Sequence, residues 1–64
     1  MITVVGRGKS SFPLERDEPV SSILRRLGLS ENSFICLING VPVTSDHVAH
    51  PEDDVTLLQV FSGG

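Results

Sequence analysis

Apolar side chains first gather at Ile2-Thr3-Val4-Val5, a run β-branched throughout, and such residues favour an extended chain. Gly6-Arg7-Gly8 follows as a short flexible stretch suited to a reversal. Ser10 to Leu14 then sets Phe12 and Leu14 on one side of a second strand, and Pro13, with no amide hydrogen to donate, assigns that strand to a sheet edge. Beyond Asp17-Glu18-Pro19 the period changes: Val20, Ile23, Leu24 and Leu27 fall at i, i+3, i+4 and i+7, one stripe of a helix. The acidic pair caps and complements the amide end of that helix, and Pro19 is preset for its first turn. Arg25 and Arg26 suit the carbonyl end, and Gly28 is the stop.

Phe34-Ile35-Cys36-Leu37-Ile38 is a continuous apolar run, too short for a helix between its turn signals, and Asn39-Gly40 is a strong two-residue hairpin signal. A short strand, Val41 to Val43, returns from it. Thr44 to Asp54 is polar, with Pro51 ahead of Glu52-Asp53-Asp54, and reads as a loop and turn. Val55 to Phe61 is the last strand. This order describes an α+β domain over residues 1–61, one mixed sheet of four to five strands with a single helix packed across it, a β-grasp arrangement. Alternation points Ile2, Val4, Phe12, Leu14, Val20, Ile23, Leu27, Cys36, Ile38, Val55 and Leu57 inward. The opposite parity on the third and last strands is also apolar, at Ile35, Leu37, Leu58 and Val60. A sheet face in contact with water should read polar, so these residues together with Phe61 form a candidate partner-binding patch.

Composition narrows the function classes. Sixty-four residues allow one domain, and 39% hydrophobic content with 20% charged residues suits a soluble module and not a disordered tail. No apolar run is long enough to span a membrane. A net charge of −3 leaves no basic footprint for nucleic acid. The one cysteine, Cys36, has no partner for an internal disulfide, and no basic-then-apolar leader opens the chain, so a cytoplasmic address is expected.

The isolated motifs resolve into ordinary structure. Gly8-Lys9-Ser10 has the end of a phosphate-binding loop, but Thr3 stands where the first glycine is needed and a strand follows instead of a helix. His47, His50 and Cys36 lack the spacing of a structural zinc site, so no metal is expected. Cys36 lies mid-strand in apolar surroundings that raise a thiol's pKa and hide it. Three consecutive carboxylates at Glu52-Asp53-Asp54 form a solvated turn, not a calcium cage. The chain's end differs from these, because Leu57-Leu58-Gln59-Val60-Phe61-Ser62-Gly63-Gly64 runs from an apolar strand straight into two glycines. Ser62 to Gly64 is expected to be a flexible tail.

In the Asn39-Gly40 turn with Val43 beyond it, the acidic turn Glu52-Asp53-Asp54, and above all Val55 through Gly64, the chain resembles the ThiS and MoaD family of ubiquitin-like sulfur carrier proteins. The resemblance covers nearly its whole length. Its shortness and its Leu-Leu-Gln-Val-Phe-Ser-Gly-Gly ending look closer to ThiS. It departs from the family in carrying Asp53 in place of the glycine of the Asp-Gly-Asp often found before the last strand, and aspartate tolerates a left-handed backbone better than most residues.

The resemblance implies a carrier with no catalytic side chain of its own and no bound cofactor. A ThiF- or MoeB-like activating enzyme would use ATP and Mg²⁺ to adenylate the Gly64 carboxylate, which a sulfur donor would convert to a thiocarboxylate. The sulfur-accepting partner would be a synthase such as a thiazole synthase of thiamine biosynthesis. Molybdopterin formation, transfer RNA thiolation, or conjugation of Gly64 to lysines as a protein modifier are the alternatives. Ser62, Gly63 and Gly64 would thread the partner's active site, since a tail without Cβ atoms fits a narrow cleft. Extended, those residues reach about 10 Å.

Overall fold

A computed structural model describes residues 1–61. Strands β1 (Ile2–Val5) and β2 (Lys9–Phe12) form the first hairpin, and a two-residue strand β3 (Glu18–Pro19) leads into helix α1 (Val20–Arg26). A 3-10 turn (Glu31–Ser33) precedes β4 (Phe34–Ile38), followed by β5 (Val41–Val43), the two-residue β6 (Val48–Ala49) and β7 (Val55–Gln59). The main sheet has five strands in the order β2-β1-β7-β4-β5, and β3 pairs with β6 beside it. β7 runs parallel to β1 and antiparallel to β4, so the strand nearest the C-terminus is the central one. This is the β-grasp fold expected from the element order.

Register turns the alternation into faces. Across the sheet, Phe12, Ile2, Val55, Ile38 and Val41 form one row, and Ser10, Val4, Leu57, Cys36 and Val43 the next. These rows meet the helix. Ile2, Val20, Ile23, Val55 and Leu57 are sealed from solvent, with Leu14, Leu24, Cys36 and Ile38 buried around them. Val4, Phe12 and Leu27 pack against this core half-buried, as do Leu29, Phe34 and Val43.

Both turn predictions hold at the level of backbone angles. Asn39 and Gly40 take φ values of 53° and 83°, the paired left-handed conformation of a tight hairpin between β4 and β5. Gly28, at φ 73°, ends the helix: its amide donates to the Arg25 carbonyl at 3.1 Å and the Leu29 amide to the Leu24 carbonyl at 2.8 Å. That pair of bonds satisfies carbonyls which the helix leaves open.

Four expectations are corrected. The helix does not start on an acidic cap: Pro19 is its N-cap and offers no side-chain bond, because Glu18 and Pro19 are drawn into pairing with β6. The Val20 and Ser21 amides instead donate to the carbonyls of His47 and Ser45, 2.9 and 2.8 Å away. Glu18 still serves the helix from the side, accepting from Ser22 Oγ at 3.1 Å and pairing with Arg26 at 3.0 Å. Second, the Thr44 to Asp54 segment is not wholly loop, since β6 lies within it and Ala49 is completely buried. Third, β2 covers Lys9–Phe12 and not Ser10 to Leu14, because β1 begins at Ile2, the partner of Phe12, and Pro13, next in the register, has no amide hydrogen to extend the ladder. Fourth, β7 ends at Gln59 and not Phe61, because its neighbour β4 begins at Phe34. One further bond, Val60 N–H to the Ser33 carbonyl at 2.7 Å, carries the ladder past the strand's end.

Candidate functional site

The site suggested by the sequence has two parts, the patch Ile35, Leu37, Leu58, Val60 and Phe61, and the tail Ser62, Gly63 and Gly64. The tail lies outside the described residues. Its strand residues Ile35, Leu37 and Leu58 lie on the sheet face turned away from the helix, and Val60 and Phe61 follow beyond the end of β7. There, Lys9, Val5, Leu58 and Ile35 form a row across β2, β1, β7 and β4. The next row, Ser11, Thr3, Thr56, Leu37 and Pro42, is largely hydroxyl-bearing. The apolar character is therefore concentrated at the end of the sheet from which β7 leaves.

Within the patch, exposure is graded. Leu37 and Leu58 are half-buried by their neighbours, whereas Ile35, Val60 and Phe61 are 47%, 43% and 68% exposed. Val60 holds its place through the bond to Ser33, and Phe61 follows it beyond the ladder. Val5, in the same row, completes the surface; alternation along β1 was the signal that would have found it. At the same end, the Gly6-Arg7-Gly8 turn comes against Gln59 so closely that a Cβ on Gly6 would run into Gln59 Oε1. That atom is the end of a flexible side chain, so Gln59 Cβ, at 3.3 Å, is the firmer limit on a side chain at position 6, and the Gly6 amide closes the turn onto the Gly8 carbonyl at 2.9 Å.

The opposite end of the sheet is tied by polar groups. Asn39 donates from Nδ2 to Asp53 Oδ1 at 3.1 Å and accepts on Oδ1 from the Asp54 amide at 2.8 Å. Asp53 Oδ2 accepts from the His50 amide at 2.9 Å. These donors hold the Asp53 carboxyl below the usual carboxylate range, the His50 amide first and Asn39 second. The Met1 ammonium donates to the Asp53 carbonyl at 3.2 Å. Asn39 is the one non-glycine with positive φ among the described residues, so Asp53 does not take the left-handed backbone that its glycine-like position had suggested. It stabilises the turn with its side chain instead.

The remaining candidates fall apart in space or take structural places. Cys36 is buried beneath the helix, and that burial pushes its thiol pKa up. His50 Nδ1 lies 2.8 Å from Asp17 Oδ1, and this hydrogen bond raises the imidazole pKa. Among the described residues, no three His, Cys, Asp or Glu side chains are grouped to hold a metal ion. No helix among them is long and apolar enough to cross a membrane.

Comparison with curated proteins returns no match. A family model does match, that of small archaeal modifier protein 2, across residues 1–61. The match covers every strand and the helix, and it supports the ubiquitin-like resemblance without the closer likeness to ThiS. The chain belongs to the small archaeal modifier protein 2 family.

Proposed function

We propose that this chain carries an activated carboxylate at Gly64 and acts as a ubiquitin-like modifier. The observation that carries the reading is the family match over residues 1–61 on a sheet whose central strand leads toward Ser62-Gly63-Gly64. The strand that precedes these residues is held by ladders on both sides, which suits a rigid base for a segment that a partner must grip.

A carboxylate at neutral pH resists nucleophiles and must first be activated. The Gly64 oxygen attacks the α-phosphorus of ATP on an activating enzyme, with Mg²⁺ on the phosphates, and pyrophosphate leaves. The resulting acyl adenylate then loses AMP to the incoming nucleophile. With a lysine amine the product is an isopeptide, the outcome favoured by the modifier description of the family. With a sulfur donor the product is a thiocarboxylate, and the chain becomes a carrier for thiazole synthesis, molybdopterin formation or transfer RNA thiolation. The contact of Asn39 with Asp53 and Asp54 favours keeping this second outcome, since it joins two of the motifs shared with the sulfur carriers. Either product needs a docking surface, and the outer-face residues Val5, Ile35 and Leu58, with exposed Val60 and Phe61 beyond the end of β7, offer an apolar one.

Mass spectrometry of material from the native host tests the reading. The chain has no Lys or Arg after Arg26, so trypsin would leave residues 27–64 on a target. A protease cutting after Phe61 leaves Ser-Gly-Gly on the modified lysine. Such remnants on other proteins are the expected result. A chain ending in a thiocarboxylate without remnants would move the function to sulfur transfer, and an unmodified carboxylate throughout would reduce the chain to an interaction domain.

A further inference from the structure

The main sheet ends in two edge strands, β2 and β5. What each offers another chain depends on the phase of its ladder. In an antiparallel pair alternate residues exchange bonds with the neighbour, and those between them turn amide and carbonyl outward. On β5, the two-residue Asn39-Gly40 turn makes Ile38 and Val41 a bonded pair, and Cys36 with Val43 is the next. Pro42, between them, is the outward residue and has no amide hydrogen. That edge is closed to a further strand.

The phase of β2 leaves the other edge open. The Gly6 amide bonds to the Gly8 carbonyl, so the bonded pairs that follow are Val4 with Ser10 and Ile2 with Phe12. Lys9 and Ser11 therefore direct both their amides and both their carbonyls away from the sheet. Arg7 to Ser11 is exposed, and among the described residues β2 pairs only with β1. On the helix side of the sheet a groove of about 440 Å³ opens beside it, its lining including Val4, Arg7, Ser10, Leu29 and Phe34.

Charge decides what this edge accepts. All five basic residues lie between Arg7 and Arg26, whereas the chain from Leu27 onward carries five acids and no Lys or Arg. Glu18 is engaged by Arg26 and Asp17 by His50, while neither Arg7 nor Lys9 has an ionic partner among the described residues. A second copy paired edge to edge would bring two Lys9 side chains onto one face of a short strand pair, and like charges there are destabilising. An acidic segment gains where that copy loses.

We propose that the β2 edge takes up an acidic, extended segment of a partner protein as a further strand, with carboxylates opposite Lys9 on the outer face and apolar side chains on the groove side. Backbone bonds to Lys9 and Ser11 supply the pairing, and the alternation of the incoming strand supplies the selectivity. Nothing in this pairing requires an activated Gly64.

The probe is the peptide acetyl-Glu-Val-Glu-Val-Asp-Val-Asp-amide, titrated to millimolar concentration into the isotopically labelled full chain and followed by NMR amide shifts and hydrogen exchange. The largest shifts are expected over residues 7–12, with slowed exchange at Lys9 and Ser11 and little change in exchange at Ser10 and Phe12, whose amides already face β1. Ser11→Pro, which repeats on this edge what Pro42 does on the other and removes no bond to β1, should abolish binding. Lys9→Glu should weaken the acidic probe by about tenfold and admit the same peptide with lysine at each acidic position, which the unaltered chain should reject. If Ser11→Pro does not fold, the charge reversal and the exchange at Lys9 and Ser11 decide. Absence of binding at millimolar probe, shifts centred on β5 or on Ile35 and Leu58, equal affinity for the basic peptide, or full binding by folded Ser11→Pro would each overturn the proposal. So would a β2-to-β2 dimer forming without probe, since the edge would then belong to a second copy.

Discussion

β4 and β7 present two apolar faces that have opposite fates. On the helix side, Cys36, Ile38, Val55 and Leu57 are all at most 7% exposed. On the other side, Ile35 and Leu58 face each other across the same strand pair, with Ile35 47% exposed and Val60 beyond them 43%. The side chains are of one chemical kind, so the difference lies in what covers them. The inner set contributes to folding by leaving water, whereas the outer set keeps much of its hydration cost in the isolated chain. Burial of that outer area remains available to binding, which is the physical content of the docking proposal.

The strongest test of this contrast exchanges neighbours of opposite parity. Leu57→Ala removes a fully buried side chain, and leucine-to-alanine changes in cores cost about 2–5 kcal/mol. A domain of this size holds stability near the low end of about 5–15 kcal/mol, so the variant should retain only about 0–3 kcal/mol and be marginally folded. Ile35→Ala, at the exposed position across the same strand pair, should cost less than about 1 kcal/mol. Urea titration followed by circular dichroism measures both. Equal losses would show that the outer face contributes as much to folding as the inner one does.

Binding should invert that ranking. Leu58→Asp or Val60→Asp is expected to leave the fold in place and weaken association with the activating partner by at least tenfold, since a charge would be set in the apolar centre of the contact, at a cost of about 1.4 kcal/mol or more. Titration calorimetry with that partner decides it. Unchanged affinity would detach the docking role from this face.

A smaller effect comes from the hairpin that joins β4 to β5 at the end opposite the tail. Gly40→Ala meets no neighbouring atom, but its φ of 83° is a conformation L side chains rarely adopt. It should cost about 1 kcal/mol. Gly6→Ala is the converse case, with a contact at Gln59 Oε1 and no positive φ. Because Oε1 is the end of a flexible side chain, the part of the cost due to it should disappear when combined with Gln59→Ala, which leaves only the Gln59 Cβ, at 3.3 Å. If Gly6→Ala is equally destabilising in that background, the contact with the Gln59 side-chain amide is not its cause.

Much of this was legible in the sequence because period and turn chemistry each make a strong local signal. The i, i+3, i+4, i+7 stripe located α1, Asn39-Gly40 located a hairpin to the residue, and alternation on β4 and β7 separated the two faces. What escaped was decided by partners distant in sequence. Glu18-Pro19 reads as a helix start by local chemistry, and only pairing with Val48 and Ala49 makes it a strand. Two residues are too few to show a period, and Ala49 within a polar segment gives no hint that it is sealed from solvent.

The smallest predicted effect belongs to a pair on neither face. His50 and Asp17 flank β6 and β3, and their 2.8 Å contact raises the imidazole pKa above its ordinary 6.5. A raised folded-state pKa means that the native state holds its proton more tightly, so the contribution is complete below pH about 6.5 and is lost as pH rises through the raised value. Glu18 acts in the opposite sense, because its bonds to Arg26 and Ser22 lower its pKa. Its contribution is present above the ordinary value of 4.5 and fades as the solution is acidified through the lowered one. Thermal stability should therefore plateau between these windows and decline slightly on the alkaline side of neutrality. Asp17→Asn should remove that alkaline decline while leaving the acid limb intact, since Glu18 and Arg26 are untouched. Both His50 and Asp17 are exposed, with side chains 47% and 62% accessible, so solvent screening keeps the alkaline step small. A decline that persists in Asp17→Asn would assign it to another group, and one as large as the Leu57→Ala loss would mean that β3 and β6 bear on the core more heavily than their two residues each suggest.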